Sequence, residues 1–227
     1  MSIVKKDNHK EDITLLLKKN KIEKRGIIHI GAHEGQEVES YLSLGFKKIM
    51  LIEANPDLAE NLKNNFKSFK EVTVINNAIS DSEGTVDFHI HTSRTGSTEP
   101  SSLLKMKEFK NIVPSLNTIK TIKVSAISLG KLFEWNYLIQ DYNFLNVDVQ
   151  GAELQVFKGA SSILNFFDVI ISEVNLIELY EGAPLEHEIV QFLDSFSFVK
   201  KKCVYHELYK GENRFKAWGE CIFVKTK

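Results

Sequence analysis

Cysteine is scarce in this chain of 227 residues, and no long apolar run occurs in it. Cys203 and Cys221 are too few for a disulfide framework or a four-cysteine zinc site, so we expect free thiols packed in the core. No apolar run approaches the roughly 18 residues of a membrane-spanning helix. Lysines interrupt the first thirty residues, which argues against a signal peptide there. We therefore expect a soluble, cytoplasmic protein.

Arginine is also scarce, and neither sign of charge dominates. The formal net charge is -1, and the only arginines are Arg25, Arg94 and Arg214. Arginine is the side chain that contacts phosphates and guanine edges through two hydrogen bonds, so the composition does not favour a nucleic-acid partner. The scattered lysines are typical of solvated helix faces, and we expect no membrane partner either. The oligomeric state stays open.

Strands and helices alternate along most of the chain. Successive strands separated by helices predict a parallel sheet with right-handed crossovers. Two final β-rich runs, at 198–205 and 217–224, surround a polar turn and predict an antiparallel hairpin. The length favours one domain over residues 1–227, with an α/β, Rossmann-like fold and helices on both faces of the sheet. The parallel strands are predicted at residues 26–30, 48–52, 72–76, 143–149 and 168–174.

Three segments depart from this alternation. Apolar residues at helical spacing predict a leading helix within residues 1–25. Residues 85–91 form a strand-like run that no helix separates from the strand before it, which predicts an antiparallel excursion. Residues 92–118 are polar, lack periodicity and exceed the length of an ordinary connection. We interpret this last segment as an active-site lid.

A glycine turn follows the first strand, in the segment from Gly31 to Gly35. Such a turn places backbone N–H groups and a helix N-terminus at the edge of the sheet where nucleotide-like ligands bind. Glu53 ends the second strand, from which a carboxylate can accept hydrogen bonds from both ribose hydroxyls of an adenosine. The alternative without a ligand is that the glycines only make a tight strand-to-helix turn and that Glu53 is a solvated acid at the start of a helix.

The spacing of the turn also distinguishes between cofactors. A dinucleotide site uses the pattern G-x-G-x-x-G, whose second and third glycine positions are His33 and Gln36 in this chain. These side chains would obstruct the close approach of a pyrophosphate. S-adenosylmethionine has no phosphate, so the turn favours it over a dinucleotide.

Three acids are predicted at the same edge of the sheet. Asp148 ends a strand, Glu153 lies in the first turn of the helix predicted over 152–164, and Glu173 lies near the end of the next strand. Acids at several strand ends are costly unless they bind something. Glu153 has a second explanation, because the helix dipole favours an acid in the first turn.

Four histidines raise the question of a metal site. His89 and His91 alternate onto one face of a strand, but nothing in the spacing brings them together with His29 and His33. A metal site needs three or four converging ligands, so we predict none. His33 is expected to lie against the cofactor because it stands inside the glycine turn.

Five segments together resemble the FkbM family of methyltransferases. The resemblance runs from about Gly26 to the segment around Trp218, and the Asp-x-x-Gly-Ala-Glu element is its specific part. Many Rossmann-like enzymes share the glycine turn. The five segments are residues 28–35, 52–56, 77–81, 146–153 and 171–175.

The resemblance implies a seven-stranded class I methyltransferase fold with S-adenosylmethionine as methyl donor. It also implies O-methylation of a sugar, a polysaccharide or a polyketide-like hydroxyl compound. Many family members have Asp two residues before the first glycine and Asn at the third turn position, where this chain has His29 and His33. The donor-binding residues implied by position are Gly31, Ala32, His33 and Gly35 for the methionine part, Glu53 and Asn55 at the ribose end, Asn77 and Ala78 for adenine, and Ser101 and Ser102 closing over the donor.

Methyl transfer from a sulfonium needs alignment of donor and acceptor and removal of the hydroxyl proton. The hypothesis from the sequence is that Asp148 is the base or orients the acceptor, with Glu153 and Glu173 holding the acceptor or supporting this group. A divalent cation held by the three acids is a variant of it. Two other classes stay open: an NAD-dependent or nucleotide-sugar enzyme, and a protein that binds adenosylmethionine without catalysis.

Overall fold

The computed structural model describes residues 22–135, 137–210 and 213–226 of the protein. Seven of its strands form the main sheet: β1 (Gly26–Ile30), β2 (Lys48–Glu53), β3 (Val72–Asn76), β7 (Phe144–Val147), β8 (Val169–Asn175), β9 (Phe198–Lys210) and β10 (Asn213–Lys225). They lie in the order β3-β2-β1-β7-β8-β10-β9, and only β10 runs against the others. A second sheet has the order β4-β6-β5, with β4 (Ala78–Ile79), β5 (Gly84–Thr92) and β6 (Asn117–Ile127).

Helices cover both faces of the main sheet. They are α1 (Val38–Leu44), α2 (Pro56–Phe66), α3 (Glu108–Ile112), α4 (Leu129–Trp135), α5 (Glu153–Gly159) and α6 (Glu186–Asp194). Alternate strand residues such as Ile27 and Phe144 pack with α1 and α2, while Ile28 and Leu145 belong to the core beneath α4, α5 and α6. None of the helices in the described ranges is both long and apolar enough to span a membrane.

Local sequence explains where the first two helices begin and end. Gly45 ends α1 with φ 87°, a left-handed conformation that glycine adopts without steric cost. Asn55 caps α2, because its side chain accepts a hydrogen bond from the Asp57 N–H, and Pro56 occupies the first helical position. Because β1, β2, β7 and β8 run parallel, their carboxyl ends meet at one edge of the sheet, where turns of fixed shape follow them.

The seven-stranded, mostly parallel sheet with a C-terminal antiparallel hairpin is confirmed, and so is the antiparallel excursion. The leading helix lies mainly outside the described residues, and residues 22–25 have no regular structure. The helix predicted over 152–164 is too long, since α5 ends at Gly159. A Cβ atom at this residue would lie 2.1 Å from the Ser80 carbonyl oxygen, so the helix end packs directly against backbone.

Two further predictions need correction. Residues 92–118 contain more regular structure than their lack of periodicity predicts, because they include α3, bridges from Ser102 to His89 and from Met106 to Tyr180, and the start of β6. The cysteines are not free thiols: Cys203 and Cys221 are paired across the β9–β10 hairpin and joined in a disulfide. The hairpin register brings these two residues opposite each other, and a count of cysteines carries no information on that register.

Candidate active site

The glycine turn after β1 is shaped by close backbone contacts. Gly31 has φ 83°, and a Cβ atom there would lie 1.8 Å from the Asp148 carbonyl oxygen. The N–H groups of Gly31 and Ala32 donate to the Ile52 carbonyl oxygen at 2.9 and 3.2 Å. Gly35 serves packing instead, because a Cβ atom there would lie 2.7 Å from the Phe66 ring of α2. The turn is thus pressed against the ends of both neighbouring strands.

Glu53 joins this turn to the start of α2. Its side chain accepts hydrogen bonds from the backbone N–H of His33 at 2.9 Å and from that of Asn55 at 2.8 Å. Burial raises the pKa of Glu53, although both amide hydrogen bonds act in the opposite direction. Each carboxylate oxygen retains a further acceptor position, so Glu53 can still receive hydroxyl groups of a ligand.

A cavity lies directly in front of Glu53, at the edge where the parallel strands end. Ala32, Gly35, Ser102, Glu153 and Glu173 do not line it. The predicted site residues that do line it are Gly31, His33, Glu53, Asn55, Asn77, Ala78, Ser101 and Asp148. The structure therefore brings most of the predicted donor-binding residues together with one of the three predicted catalytic acids.

Sequence analysis missed the apolar wall of the cavity. Ile52, Leu58, Ile79, Phe88 and Leu103 line it as well, and Phe88 comes from the second sheet. The polar Asn77 lies beside this wall, and its side-chain amide donates to the Ser125 carbonyl oxygen at 3.3 Å. Flat apolar surfaces beside an amide group suit a heteroaromatic base. The strand pattern of residues 85–91 was a signal for the buried position of Phe88, but not for its contact with the site.

Thr98, Glu99 and Ser101, from the segment predicted as a lid, also line the cavity. Thr98 Oγ1 lies 3.0 Å from His33 Nε2, and the Gln36 side-chain amide donates to Glu99 at 3.2 Å. The Ser101 hydroxyl donates to the Thr98 carbonyl oxygen at 2.6 Å, which holds this turn together. The segment predicted as a lid is therefore fastened to the glycine turn in this conformation.

Ser102 connects the same segment to the turn after β7. Its hydroxyl donates to the Gln150 carbonyl oxygen at 2.7 Å and accepts from the Leu104 N–H at 3.0 Å. Ser102 is almost completely buried and lies off the cavity. Its hydrogen bonds join the lid segment to the backbone of the turn after β7, and it does not line the cavity.

Asp148 and Glu173 accept hydrogen bonds from the same side chain, that of Gln150. The carboxamide nitrogen of Gln150 donates to Asp148 Oδ1 at 2.7 Å and to Glu173 Oε2 at 3.1 Å. Asp148 is half-buried and lines the cavity, whereas Glu173 is buried behind it. Burial raises the pKa of Glu173 well above its ordinary value, and the nearby Asp148 and Glu153 raise it further. These effects favour the neutral form of Glu173 more than for an exposed glutamate.

Glu153 holds the turn that carries Asp148. Its Oε1 accepts from the N–H groups of Val149 at 3.2 Å and Gly151 at 3.0 Å. Its Oε2 has no hydrogen-bond partner among the described residues, and burial raises the pKa of Glu153 to about 7. Among the described residues, Asp148, Glu153 and Glu173 do not bring their ligand atoms within 4.8 Å of one another, so the three predicted acids do not converge as a metal site would require.

The sequence that forms the glycine turn, the cavity and the strand end with Asp148 matches a known family. The profile of the methyltransferase FkbM domain matches residues 29–206, which is more than half of the chain. The chain belongs to the FkbM methyltransferase family. It is therefore an S-adenosylmethionine-dependent methyltransferase, and the resemblance found in the sequence motifs is confirmed.

Individual relatives of this FkbM-family chain are distant. It is 25% identical over 194 residues to the 2-O-methyltransferase NoeI of Sinorhizobium fredii, covering 84% of this chain and 78% of that protein. The methyltransferase FkbM of Methylobacillus flagellatus has a similar structure, with a TM-score of 0.50 and 11% identity, covering 88% of this chain and 43% of that one. Magnesium protoporphyrin IX methyltransferase of Synechocystis, solved with bound SAM, gives a TM-score of 0.51 at 8% identity, covering 96% and 79%. These structures confirm the class I methyltransferase fold.

The two histidines that depart from the family pattern have different places. His33 lines the cavity with φ 47°, whereas His29 is buried on the α1 side of the sheet, with its Nδ1 3.3 Å from the Tyr41 hydroxyl.

His89 and His91 each contact a threonine hydroxyl, at 2.8 and 3.0 Å, respectively. Burial lowers the pKa of His91 to about 4, so this ring is neutral.

Proposed function

We propose that this FkbM-family enzyme transfers the methyl group of S-adenosylmethionine to a hydroxyl oxygen of a small-molecule or glycan acceptor. The observation that carries the proposal is that Glu53 and Asp148 line one covered cavity at the same edge of the sheet. The relative NoeI is named a 2-O-methyltransferase, which supports oxygen as the acceptor atom. The single domain over residues 1–227 and the cytoplasmic location stay predictions.

The residues of the cavity suit the adenosine part of the donor. In the proposal, Glu53 accepts hydrogen bonds from the ribose hydroxyls with Asn55 beside it, and Asn77, Ala78 and the apolar wall hold the adenine. The methionine part then lies against Gly31 and His33. A dinucleotide is disfavoured, because the His33 side chain lines the space that a pyrophosphate would need to approach the turn.

Asp148 is the proposed base. The donor supplies a methyl group on a positively charged sulfur, which leaves as a neutral thioether. As the acceptor oxygen forms its bond to the methyl carbon, the carbon–sulfur bond breaks, its electron pair goes to sulfur, and the hydroxyl proton passes to Asp148. Glu173 supports Asp148 through the Gln150 amide, and Glu153 supports it through the backbone N–H groups of the turn. We propose no cation site on the three acids, because the ligand atoms of Asp148, Glu153 and Glu173 do not all lie within 4.8 Å of one another.

A turnover assay tests the proposal. Purified enzyme, adenosylmethionine and a panel of sugars and small alcohols should release adenosylhomocysteine together with a methyl ether, identified by mass spectrometry. Matched acceptors that carry an amine or a carboxyl in place of the hydroxyl should not react. Methylation of the amine or carboxyl compounds alone would overturn the assignment to oxygen. Tight donor binding with no turnover on any acceptor would favour the non-catalytic binding protein instead.

A further inference from the structure

Gln150 lies between the two acids and the segment that covers the cavity. It has φ 55°, in the left-handed region that side chains other than glycine rarely adopt. In this conformation its carboxamide nitrogen reaches both Asp148 Oδ1 and Glu173 Oε2. An unfavourable backbone conformation held together by several contacts often marks a functional position.

Both hydrogens of the Gln150 amide group are used by the acids. One bonds to Asp148 at 2.7 Å and the other to Glu173 at 3.1 Å. Because the two donors of an amide group point in fixed directions about a planar nitrogen, the pair of bonds fixes the position of the Asp148 carboxylate relative to the buried Glu173. Loss of this bridge would remove the hydrogen bonds that tie the orientation of Asp148 Oδ1 to Glu173.

Tyr180 determines which way the Gln150 amide faces. Its hydroxyl has one proton and two acceptors within reach, the Pro100 carbonyl oxygen at 2.9 Å and Gln150 Oε1 at 3.1 Å. The Tyr180 ring is fully buried and packs against Phe109, with 5.8 Å between ring centroids, so the hydroxyl has a fixed place. Because Tyr180 shares this proton between the two oxygens while the acids accept from the amide nitrogen, the amide oxygen is favoured on the Tyr180 side and the nitrogen on the side of the acids.

We infer that Gln150 is a positioning residue that holds Asp148 toward the reacting hydroxyl, and that Tyr180 fixes the orientation of the Gln150 amide. This inference rests on the proposed role of Asp148 as base. A misplaced base slows the chemical step more than it weakens binding of the donor, since misalignment of reacting groups by about 1 Å can cost about 100-fold in rate. Neither Gln150 nor Tyr180 lines the cavity, so donor affinity should not depend on them.

Kinetics of Gln150→Met and Tyr180→Phe test the inference. Methionine keeps the length of glutamine without the amide, and phenylalanine removes only the hydroxyl. We expect kcat to fall about 10- to 100-fold in Gln150→Met and about 3- to 10-fold in Tyr180→Phe, with adenosylhomocysteine affinity within about twofold of wild type. Gln191→Met, the same chemical change on an exposed position of α6, should leave kcat unchanged.

A double mutant separates this inference from the proposed function. If Gln150 acts through Asp148, Gln150→Met should cause no further loss of kcat in Asp148→Asn. Wild-type turnover in Asp148→Asn would overturn the proposed role of the base. Reduced turnover in Asp148→Asn with normal kcat in Gln150→Met would overturn the positioning role alone. If Gln150→Met does not fold, Tyr180→Phe decides, and a normal kcat in that variant overturns the inference.

Discussion

A Cβ atom added to Gly31 would lie 1.8 Å from the carbonyl oxygen of Asp148. Gly31, the first residue of the glycine turn, and Asp148, the proposed base, are therefore in direct backbone contact. Because the glycine turn and Asp148 share this contact, the distance between the bound methyl donor and the Asp148 carboxylate depends on how closely β1 and β7 approach each other. A side chain at residue 31 would have to push these strand ends apart.

Gly31→Ala should accordingly abolish donor binding and activity together. The change combines a left-handed backbone with a backbone clash, whereas Gly182→Ala is a matched control with φ 73° and open space around the added atom. We expect Gly182→Ala to cost about 1–2 kcal/mol of stability with normal donor affinity. Chemical unfolding and calorimetry with adenosylhomocysteine check both variants. Normal donor affinity in Gly31→Ala would show that the close contact is unimportant.

Glu53→Gln should weaken donor binding by about 30- to 150-fold, which corresponds to about 2–3 kcal/mol. The carboxamide can accept through one oxygen only, so it loses a ribose contact and one of the bonds to the His33 and Asn55 amides. An adenosylhomocysteine analogue that lacks both ribose hydroxyls separates these effects in a calorimetric titration. Wild type should discriminate against the analogue, and Glu53→Gln should not. Equal binding of both compounds by wild type would remove the ribose assignment.

Much of this site could be predicted because it depends on residues near strand ends. Strand lengths and turn residues place Gly31, Glu53 and Asp148 at one edge whatever the details of packing. The roles of Ser102, Glu153 and Gln150 could not be predicted in the same way. Each depends on where one side chain points inside a crowded turn, and hydrogen bonds such as that from Ser102 to the Gln150 carbonyl join residues far apart in sequence.

Two parts of the fold escaped prediction for similar reasons. The contribution of Phe88 to the cavity depends on how the second sheet packs against the first, which periodicity within a strand does not reveal. The disulfide between Cys203 and Cys221 depends on the register of a hairpin whose turn lies seven or more residues from either cysteine. Sequence patterns indicated the elements, and tertiary packing decided these contacts.

Glu153 should make the stability of the protein depend on pH. The pKa of Glu153 is raised to about 7 from an ordinary value of 4.5, so the folded state binds this proton more tightly than the unfolded state. The free energy of unfolding should therefore fall as the pH rises from 4.5 to about 7, by at most about 3 kcal/mol from this group. Glu173 acts in the same direction.

Glu153→Gln should flatten that dependence, because the neutral amide cannot lose a proton. Urea unfolding at several pH values between 4.5 and 7.5 provides the measurement, with Glu60→Gln on the exposed face of α2 as a control that keeps the wild-type slope. An unchanged slope in Glu153→Gln would mean that burial of this acid does not affect its titration.

Residues 92–118 should act as a lid, as their length and polarity predict. The contacts from His33 to Thr98 and from Gln36 to Glu99 fasten the segment over the cavity, while Arg94 is exposed at its tip. Limited trypsin digestion should cut after Arg94, and adenosylhomocysteine with acceptor should slow that cut by about tenfold or more as the lid closes. Cleavage at the exposed Lys70 is the internal control. Equal cutting at Arg94 with and without ligands would contradict the lid.

The most direct test of the account is Asp148→Asn, measured for turnover and donor affinity in the same preparation. Asparagine keeps the shape of the side chain and an acceptor for the Gln150 amide, but it cannot take a proton. We expect kcat to fall by about two to four orders of magnitude while the affinity for adenosylhomocysteine stays within about twofold of wild type. Unchanged turnover, or a loss of donor affinity that matches the loss of activity, would contradict the role of Asp148 as the base.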